Sequence, residues 1–259
     1  MSAAVLTVHQ AAVARCFLGE ERARRLHLVV SLSGAHAYGF PSPDSDLDLK
    51  AVHVEPTKRL LGLRLPAPHA ERMEVVEGVE IDYSSNELGP VLAALLRSNG
   101  NYVERFLGAC CLEAAPQLEE LRPLVRRALS RQVYRHYSGF ARGQLSEWER
   151  SGFRSAKKLL YVLRTTLTGT HVLRTGQIET DLSALLDDYG LREARELIDA
   201  KKRGEHAELE PQVAERWRSA LGRLFEGLDA ALGASPLPVE PENEAEIDAW
   251  LVDFRMRGT

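Results

Sequence analysis

Long apolar runs are missing from this chain of 259 residues. A membrane-spanning helix needs about 20 consecutive apolar residues, and no stretch supplies them. Residues 1–16 also lack a basic segment followed by a long apolar core. The expectation is a protein without a membrane segment, working in the cytoplasm. Cysteine is scarce, with Cys16, Cys110 and Cys111 the three present. Cys110 and Cys111 are adjacent and cannot easily bridge each other, and no C-x-x-C spacing points to zinc. A disulfide scaffold is therefore excluded, and a reducing compartment fits best. Positive charge is not in excess either. The net charge is −4, so no global basic field advertises nucleic acid. The charge is uneven, however: residues 122–174 are rich in Arg and Lys and the last thirty are acidic, which leaves a local basic face open.

What is present is an ordinary globular mixture, 44% hydrophobic and 27% charged, enough for one large domain or two modest ones. Residues 7–25 read as a helix with Thr7 as cap and an Ala-rich interior. Residues 26–32, LHLVVSL, read as a buried strand. Residues 34–43 hold two glycines and two prolines and are expected to be irregular. A second strand is expected over residues 46–54. Residues 73–76 and 79–83 flank Glu77-Gly78 as a hairpin. A helical pattern over residues 85–107 is interrupted at Asn99-Gly100-Asn101, which predicts two helices with a sharp corner and gives Asn99 and Asn101 a role in chain geometry. After Pro116 the pattern is wholly helical, with segments at 118–129, 131–151, 155–174, 181–189, 191–200 and 211–232. A Pro-rich acidic linker at 234–243 precedes a short amphipathic helix at 244–255.

The predicted class is α+β: a small mixed-sheet domain over 1–116, an all-helical bundle over 117–233, then the linker and C-terminal helix over 234–259.

The chemistry concentrates in residues 33–50, SGAHAYGFPSPDSDLDLK. Side chains alternate faces along a strand, so Asp46 and Asp48 point one way and Leu47 and Leu49 the other. In the hairpin's second arm Glu80 and Asp82 share a face, which brings a third and a fourth carboxylate into range. Converging carboxylates repel one another unless a cation sits between them. Mg²⁺ prefers such hard oxygen ligands. Asp46, Asp48 and Asp82 suit two ions roughly 3.5–4 Å apart, the arrangement that serves an in-line phosphoryl displacement. The small Gly34-Ala35 turn lets backbone N–H groups approach a triphosphate.

The order strand, glycine turn, S-D-x-D, strand, acid resembles the DNA polymerase β superfamily of nucleotidyltransferases. Within it, Gly34, Ala37, Tyr38, Gly39, Ser45, Asp46 and Asp48 resemble the G-x-x-A-Y-G-x-x-x-x-x-S-D-x-D of the RlaP-like, RNA-repair branch. Residues 95–101 with Glu104 resemble that branch's L-L-K-x-N-P-N-x-x-E corner. Lys157-Lys158-x-x-Tyr161-x-x-Arg164 and Leu173-Arg174-Thr175-Gly176 resemble its helical signature. The resemblance runs from about residue 26 to 190. It implies that Asp46 and Asp48 bind metal and that Asp82 is the third acid, with Glu80 as the fallback. It also implies that Ser33, Gly34, Ala35 and Ser45 border the nucleotide. Ala35 stands where that branch has serine, so a hydroxyl expected at the triphosphate is missing.

Two readings stay open for several residues. Lys157, Lys158 and Arg164 either bind phosphate or form the wet face of a helix; the resemblance brings Lys157 and Arg164 toward the nucleotide. Tyr161 is either core or a base-stacking ring. The expected activity is transfer of a nucleoside monophosphate from an NTP, with ATP preferred, to a hydroxyl, supported by two Mg²⁺ with Mn²⁺ as substitute. An RNA 3′ end is the acceptor that the resemblance implies. A protein partner, a small molecule, or a catalytically silent nucleotide-binding role are the alternatives.

Overall fold

A computed structural model describes residues 5–204 and 207–258, leaving the outer limits of the expected domains, residues 1 and 259, outside them. The architecture is α+β, with five strands in a mixed sheet and twelve α-helices among the described residues. No helix among them is long and apolar enough to cross a membrane. The chain falls into two compact units. The first comprises Met1–His36, Asp46–Ala128 and Pro241–Thr259; the second comprises Ala37–Ser45 and Leu129–Glu240.

The first unit opens with α1 (Val8–Arg24), where Thr7 and Gln10 form a reciprocal capping box, satisfying amide groups that a helix start leaves orphaned. Strand β1 (Leu26–Leu32) follows directly. A short helical turn, α2 (Gly34–Ala37), stands where irregular chain was expected. Strand β2 (Leu47–Val54) is buried along nearly its whole length. After the short α3 (Thr57–Leu60), β3 (His69–Val76) and β4 (Val79–Glu87) pair as a hairpin. Glu77 and Gly78 both take positive φ, 49° and 79°, the backbone that a two-residue turn needs to match strand twist. The strands are longer than the sequence suggests. Residues 85–87, expected to start a helix, instead finish β4 in register with Ala51, Val52 and His53.

Helices α4 (Leu88–Leu96) and α5 (Gly100–Leu107) are separated by the expected corner. Ser98 takes the left-handed conformation there, φ 59°, and Asn99 caps α5 by accepting from the Asn101 amide. Strand β5 (Cys111–Ala114), which periodicity does not reveal, adds to the sheet beside β1. The sheet order is β3-β4-β2-β1-β5. Only the β2–β4 contact is parallel; the other three are antiparallel. Helix α6 (Gln117–Arg127) and the C-terminal α12 (Glu244–Met256) complete this unit. Arg255 of α12 donates to Glu87 at 2.8 Å and Asn243 donates to the Leu124 carbonyl at 2.9 Å.

The face of the sheet under α1 is partly polar yet sealed. Tyr83 packs against Phe17, ring centroids 5.6 Å apart. His27 and His53 face each other across β1 and β2. The His27 Nε2 shares a 2.8 Å hydrogen bond with the Tyr83 hydroxyl, and His53 Nδ1 one of 2.8 Å with Ser85 Oγ. Burial, with the Arg25 charge behind it, lowers both imidazoles to about 4. Glu21, itself buried, is neutralised by Arg24, Arg25 and Arg72, as a buried carboxylate must be.

The second unit is a helical bundle of α7 (Val133–Arg150), α8 (Ala156–Thr175), α9 (Leu182–Asp188), α10 (Arg195–Lys202) and α11 (Pro211–Gly233), with a 3₁₀ turn at Arg192–Ala194. Helix α8 is its centre and is buried on most sides. Gly169 lets α7 and α11 approach it: a Cβ there would lie 2.5 Å from the Tyr137 Cβ and 3.2 Å from Leu228 Cδ1. The loop 37–45 belongs to this unit. The bonds that stitch it down include Thr180 Oγ1 to the Ala37 carbonyl at 3.3 Å, the Leu182 amide to the Tyr38 carbonyl at 3.0 Å, and Lys201 Nζ to Ser42 Oγ at 2.6 Å.

Candidate active site

Alternation along β2 sends Leu47, Leu49 and Ala51 into the core and leaves Asp48 and Lys50 on the opposite face. The parallel register sets Asp48 directly beside Asp82 of β4, and Lys50 beside Ser84. Asp46 precedes β2 by one residue. Glu80 lies on Asp82's face, exposed, and its neighbour Ile81 is already the first β4 residue in the β2 ladder. Of the two acids, Asp82 is therefore the one in register with Asp48.

The turn that closes β1 is built around the same carboxylate. The Ser33 amide donates to the Asp48 carbonyl at 2.9 Å. Gly34 has φ +61°, and a Cβ there would fall 1.9 Å from Asp48 Oδ2. No side chain fits at residue 34 without displacing Asp48 or straining the backbone. Ala35 is buried at the start of the turn.

Burial is the main cause that pushes Asp48 up to about 6; the Asp46 and Asp82 charges add to it and Lys50 opposes it. Lys50 Nζ is 2.8 Å from Asp82 Oδ2, 3.5 Å from Asp48 Oδ1, and 3.3 Å from the Asp82 carbonyl. Among the described residues, no three or more His, Cys, Asp or Glu side chains stand ready to hold a metal ion as placed. Asp48 and Asp82 are engaged by the Lys50 ammonium group. The donor set nevertheless suits a divalent cation. All donors are hard oxygens, and the charges of Asp46 and Asp82 both act on the buried Asp48 carboxylate. Asp46, Asp48 and Asp82 are the residues that would hold it. Lys50 is a site residue that sequence reasoning passed over; strand alternation already placed it on the Asp48 face.

The remaining expected residues lie in the second unit. Ser45 is buried, and its hydroxyl accepts from the Ser42 amide at 3.0 Å and from Lys201 Nζ at 3.1 Å. It holds the loop immediately before Asp46. Lys201, fully buried, had no sequence signal: it sits among ordinary helix charges, and only the fold turns it inward. Arg164 is buried on α8, with its guanidinium 3.9 Å over the Tyr38 ring, a cation–π contact. Tyr161, partly exposed, meets Tyr38 and Phe40 edge-on at 5.8 and 5.6 Å. Lys157 is partly exposed in the first turn of α8. Its neighbour Lys158 reaches Glu147, 3.6 Å from Oε2 and 3.2 Å from the carbonyl.

Two carboxylates in register on parallel strands, one fitted against a glycine turn, set the chain among the polymerase-β-type nucleotidyltransferases. More narrowly, it belongs to the RNA repair pathway DNA polymerase beta family, RlaP, which matches residues 15–253. Relatives include the uncharacterized protein MJ0002 of Methanocaldococcus jannaschii, 27% identical over 226 residues, 86% of this chain and 91% of that protein. The uncharacterized protein YcgL of Bacillus subtilis is 29% identical over 192 residues, 70% of this chain and 72% of that one. A crystal structure of a nucleotidyltransferase-like protein from Exiguobacterium sibiricum has a TM-score of 0.35 and 11% identity, covering 86% of this chain and 74% of that one.

Proposed function

We propose that this protein transfers a nucleoside monophosphate from ATP, or another NTP, to a hydroxyl acceptor and releases pyrophosphate. The observation that carries the reading is Asp48 and Asp82 side by side on parallel strands, with Asp46 just upstream and Gly34 cut to fit Asp48. Asp46, Asp48 and Asp82 would hold the divalent ions, Mg²⁺ with Mn²⁺ as substitute, and the ions would supply positive charge against that of the polyphosphate. Asp82, 37% exposed, orients the acceptor hydroxyl and takes its proton as the oxygen attacks the α-phosphorus. The bond from that phosphorus to the bridging oxygen breaks, and pyrophosphate leaves with the bond electrons. The backbone of residues 33–35 borders the polyphosphate. Lys157 and Arg164 of the helical unit are proposed as phosphate-side cations, with Ser45 and Tyr161 as loop and base contacts.

An RNA 3′ end is the acceptor favoured by the family's description. A protein hydroxyl is the second reading, and the hairpin beside Asp82 favours it. Glu71, Glu77 and Glu80 are exposed there, and the exposed Met73 lies directly across from Asp82. Such a surface repels a phosphodiester backbone and suits an apolar or basic polypeptide. Incubation with α-labelled ATP and, separately, RNA, cell protein or small hydroxyl compounds tests the choice. Label on RNA 3′ ends supports the first reading; label on a protein band with none on RNA supports the second.

A further inference from the structure

Nucleotidyl transfer by the three acids leaves one charged group at the centre of the site without a task. Lys50 is only 16% exposed, on the same face of β2 as Asp48, and its ammonium bridges two carboxylates from different strands. A lysine costs side-chain entropy and desolvation when it is held this way. A site dedicated to a permanent divalent ion has no need of it, because the ion itself neutralises the acids. The ammonium reaches both Asp48 and Asp82 and also bonds the Asp82 carbonyl. Any cation shared by these two acids must displace it or pull the carboxylates away from it.

We propose that Lys50 is the built-in counter-ion of this site: it holds Asp48 and Asp82 in place in the metal-free protein and competes with the divalent cation for them, so that it sets the metal affinity. The inference rests on the reading of Asp46, Asp48 and Asp82 as metal ligands. Lys50 is thereby a positioning residue. Its competition keeps the affinity of the protein alone low, so that tight metal binding waits for the additional oxygen ligands of a nucleotide polyphosphate. Removing the ammonium leaves Asp46, Asp48 and Asp82 mutually repelling, and a divalent ion then binds without a competitor.

The experiment is a Mn²⁺ titration, without nucleotide, of the full-length protein, Lys50→Met and Lys50→Arg, with free Mn²⁺ read by electron paramagnetic resonance. Lys50→Met keeps the side-chain stem and loses the charge. It is expected to bind Mn²⁺ about tenfold more tightly than the wild type, as loss of one close, partly screened ion-pair partner implies. Lys50→Arg is expected to stay within about threefold of the wild type, because it restores the positive charge. Thermal melting supplies a second readout. Metal-free Lys50→Met melts below the wild type, and saturating Mn²⁺ raises its midpoint by more than it raises that of the wild type. Equal or weaker Mn²⁺ binding by Lys50→Met overturns the role of Lys50 while leaving the metal site standing. Absence of Mn²⁺ binding by every variant overturns the metal-site reading itself, and the inference with it.

Discussion

Gly34 does more at the residue scale than its place in a small turn suggests. It combines a left-handed backbone, φ +61°, with a space that the Asp48 carboxylate fills, 1.9 Å from where a Cβ would stand. Gly34→Ala is expected to keep the fold and to lower the rate of nucleotidyl transfer by about a hundredfold or more, since small displacements of a positioned group are costly to catalysis. Initial rates at saturating ATP and Mg²⁺, with circular dichroism as the folding control, check it. Much at this scale is legible in the sequence. Two-residue periodicity by itself places Glu80 and Asp82 on one face; for Asp46 and Asp48 it assumes a strand from residue 46, whereas β2 begins at Leu47. The choice between Glu80 and Asp82 as the register partner of Asp48 is not legible, because strand register depends on long-range pairing that local sequence does not encode. Lys50 and Lys201 escape notice for a related reason. A lysine reads as solvated until the fold supplies an acid pair or a pair of serine hydroxyls around it.

At the scale of elements, long periodic helices are the easiest to read and short pieces of sheet the hardest. The bundle helices fall within a few residues of their expected limits, because an apolar stripe marks them and, for α8 and α9, Ser155 and Asp181 cap the start. The start of β3, the end of β4 and the whole of β5 are missed. Residues 85–87, SNE, look like the start of a helix, and they do lead into α4 with Glu87 capping Gly89, but the ladder to β2 claims them first. The histidines of the sheet carry a pH prediction. His27 and His53 have folded-state values lowered from 6.5 to about 4. The unfolded chain therefore takes up protons first as the pH falls below about 6.5, and the stability that these two neutral rings confer is present above that pH and lost down to about 4. The loss is on the order of a few kcal/mol for each ring. Asp48, raised from 3.8 to about 6, acts in the opposite sense over part of that range, so the contribution is isolated by difference. Urea unfolding of wild type and a His27→Gln, His53→Gln variant at pH 7 and pH 5 checks it. The wild type is expected to lose more stability between the two pH values than the variant does. Equal losses contradict the assignment.

At the scale of the whole molecule, the sequence separates a small α/β part from a helical part, and the chain's path between them is more involved. Residues 37–45 leave the sheet unit for the helical unit and return at Asp46, and residues 241–259 return to the sheet unit at the end. An A-Y-G-F-P-S-P-D-S run between two strands reads as a loop, and nothing local announces that Thr180, Leu182 and Lys201 hold it. The C-terminal return is legible only as an amphipathic stripe; Ile247 and Phe254 are its buried members. The segment immediately upstream of Asp46 is held by Ser42 and Ser45, both bonded to Lys201 of α10.

The central claim is that Asp46, Asp48 and Asp82 act together as a metal-dependent nucleotidyl-transfer site. Its most direct test is label incorporation from α-labelled ATP in Mg²⁺, measured for wild type, Asp46→Ala/Asp48→Ala, Asp82→Asn and Glu80→Gln, each shown to be folded. The account predicts acceptor labelling and pyrophosphate release by the wild type and by Glu80→Gln within about threefold of it. It predicts losses of about a thousandfold in Asp46→Ala/Asp48→Ala and in Asp82→Asn. Undiminished transfer by Asp46→Ala/Asp48→Ala, or a collapse in Glu80→Gln with Asp82→Asn unaffected, would contradict it.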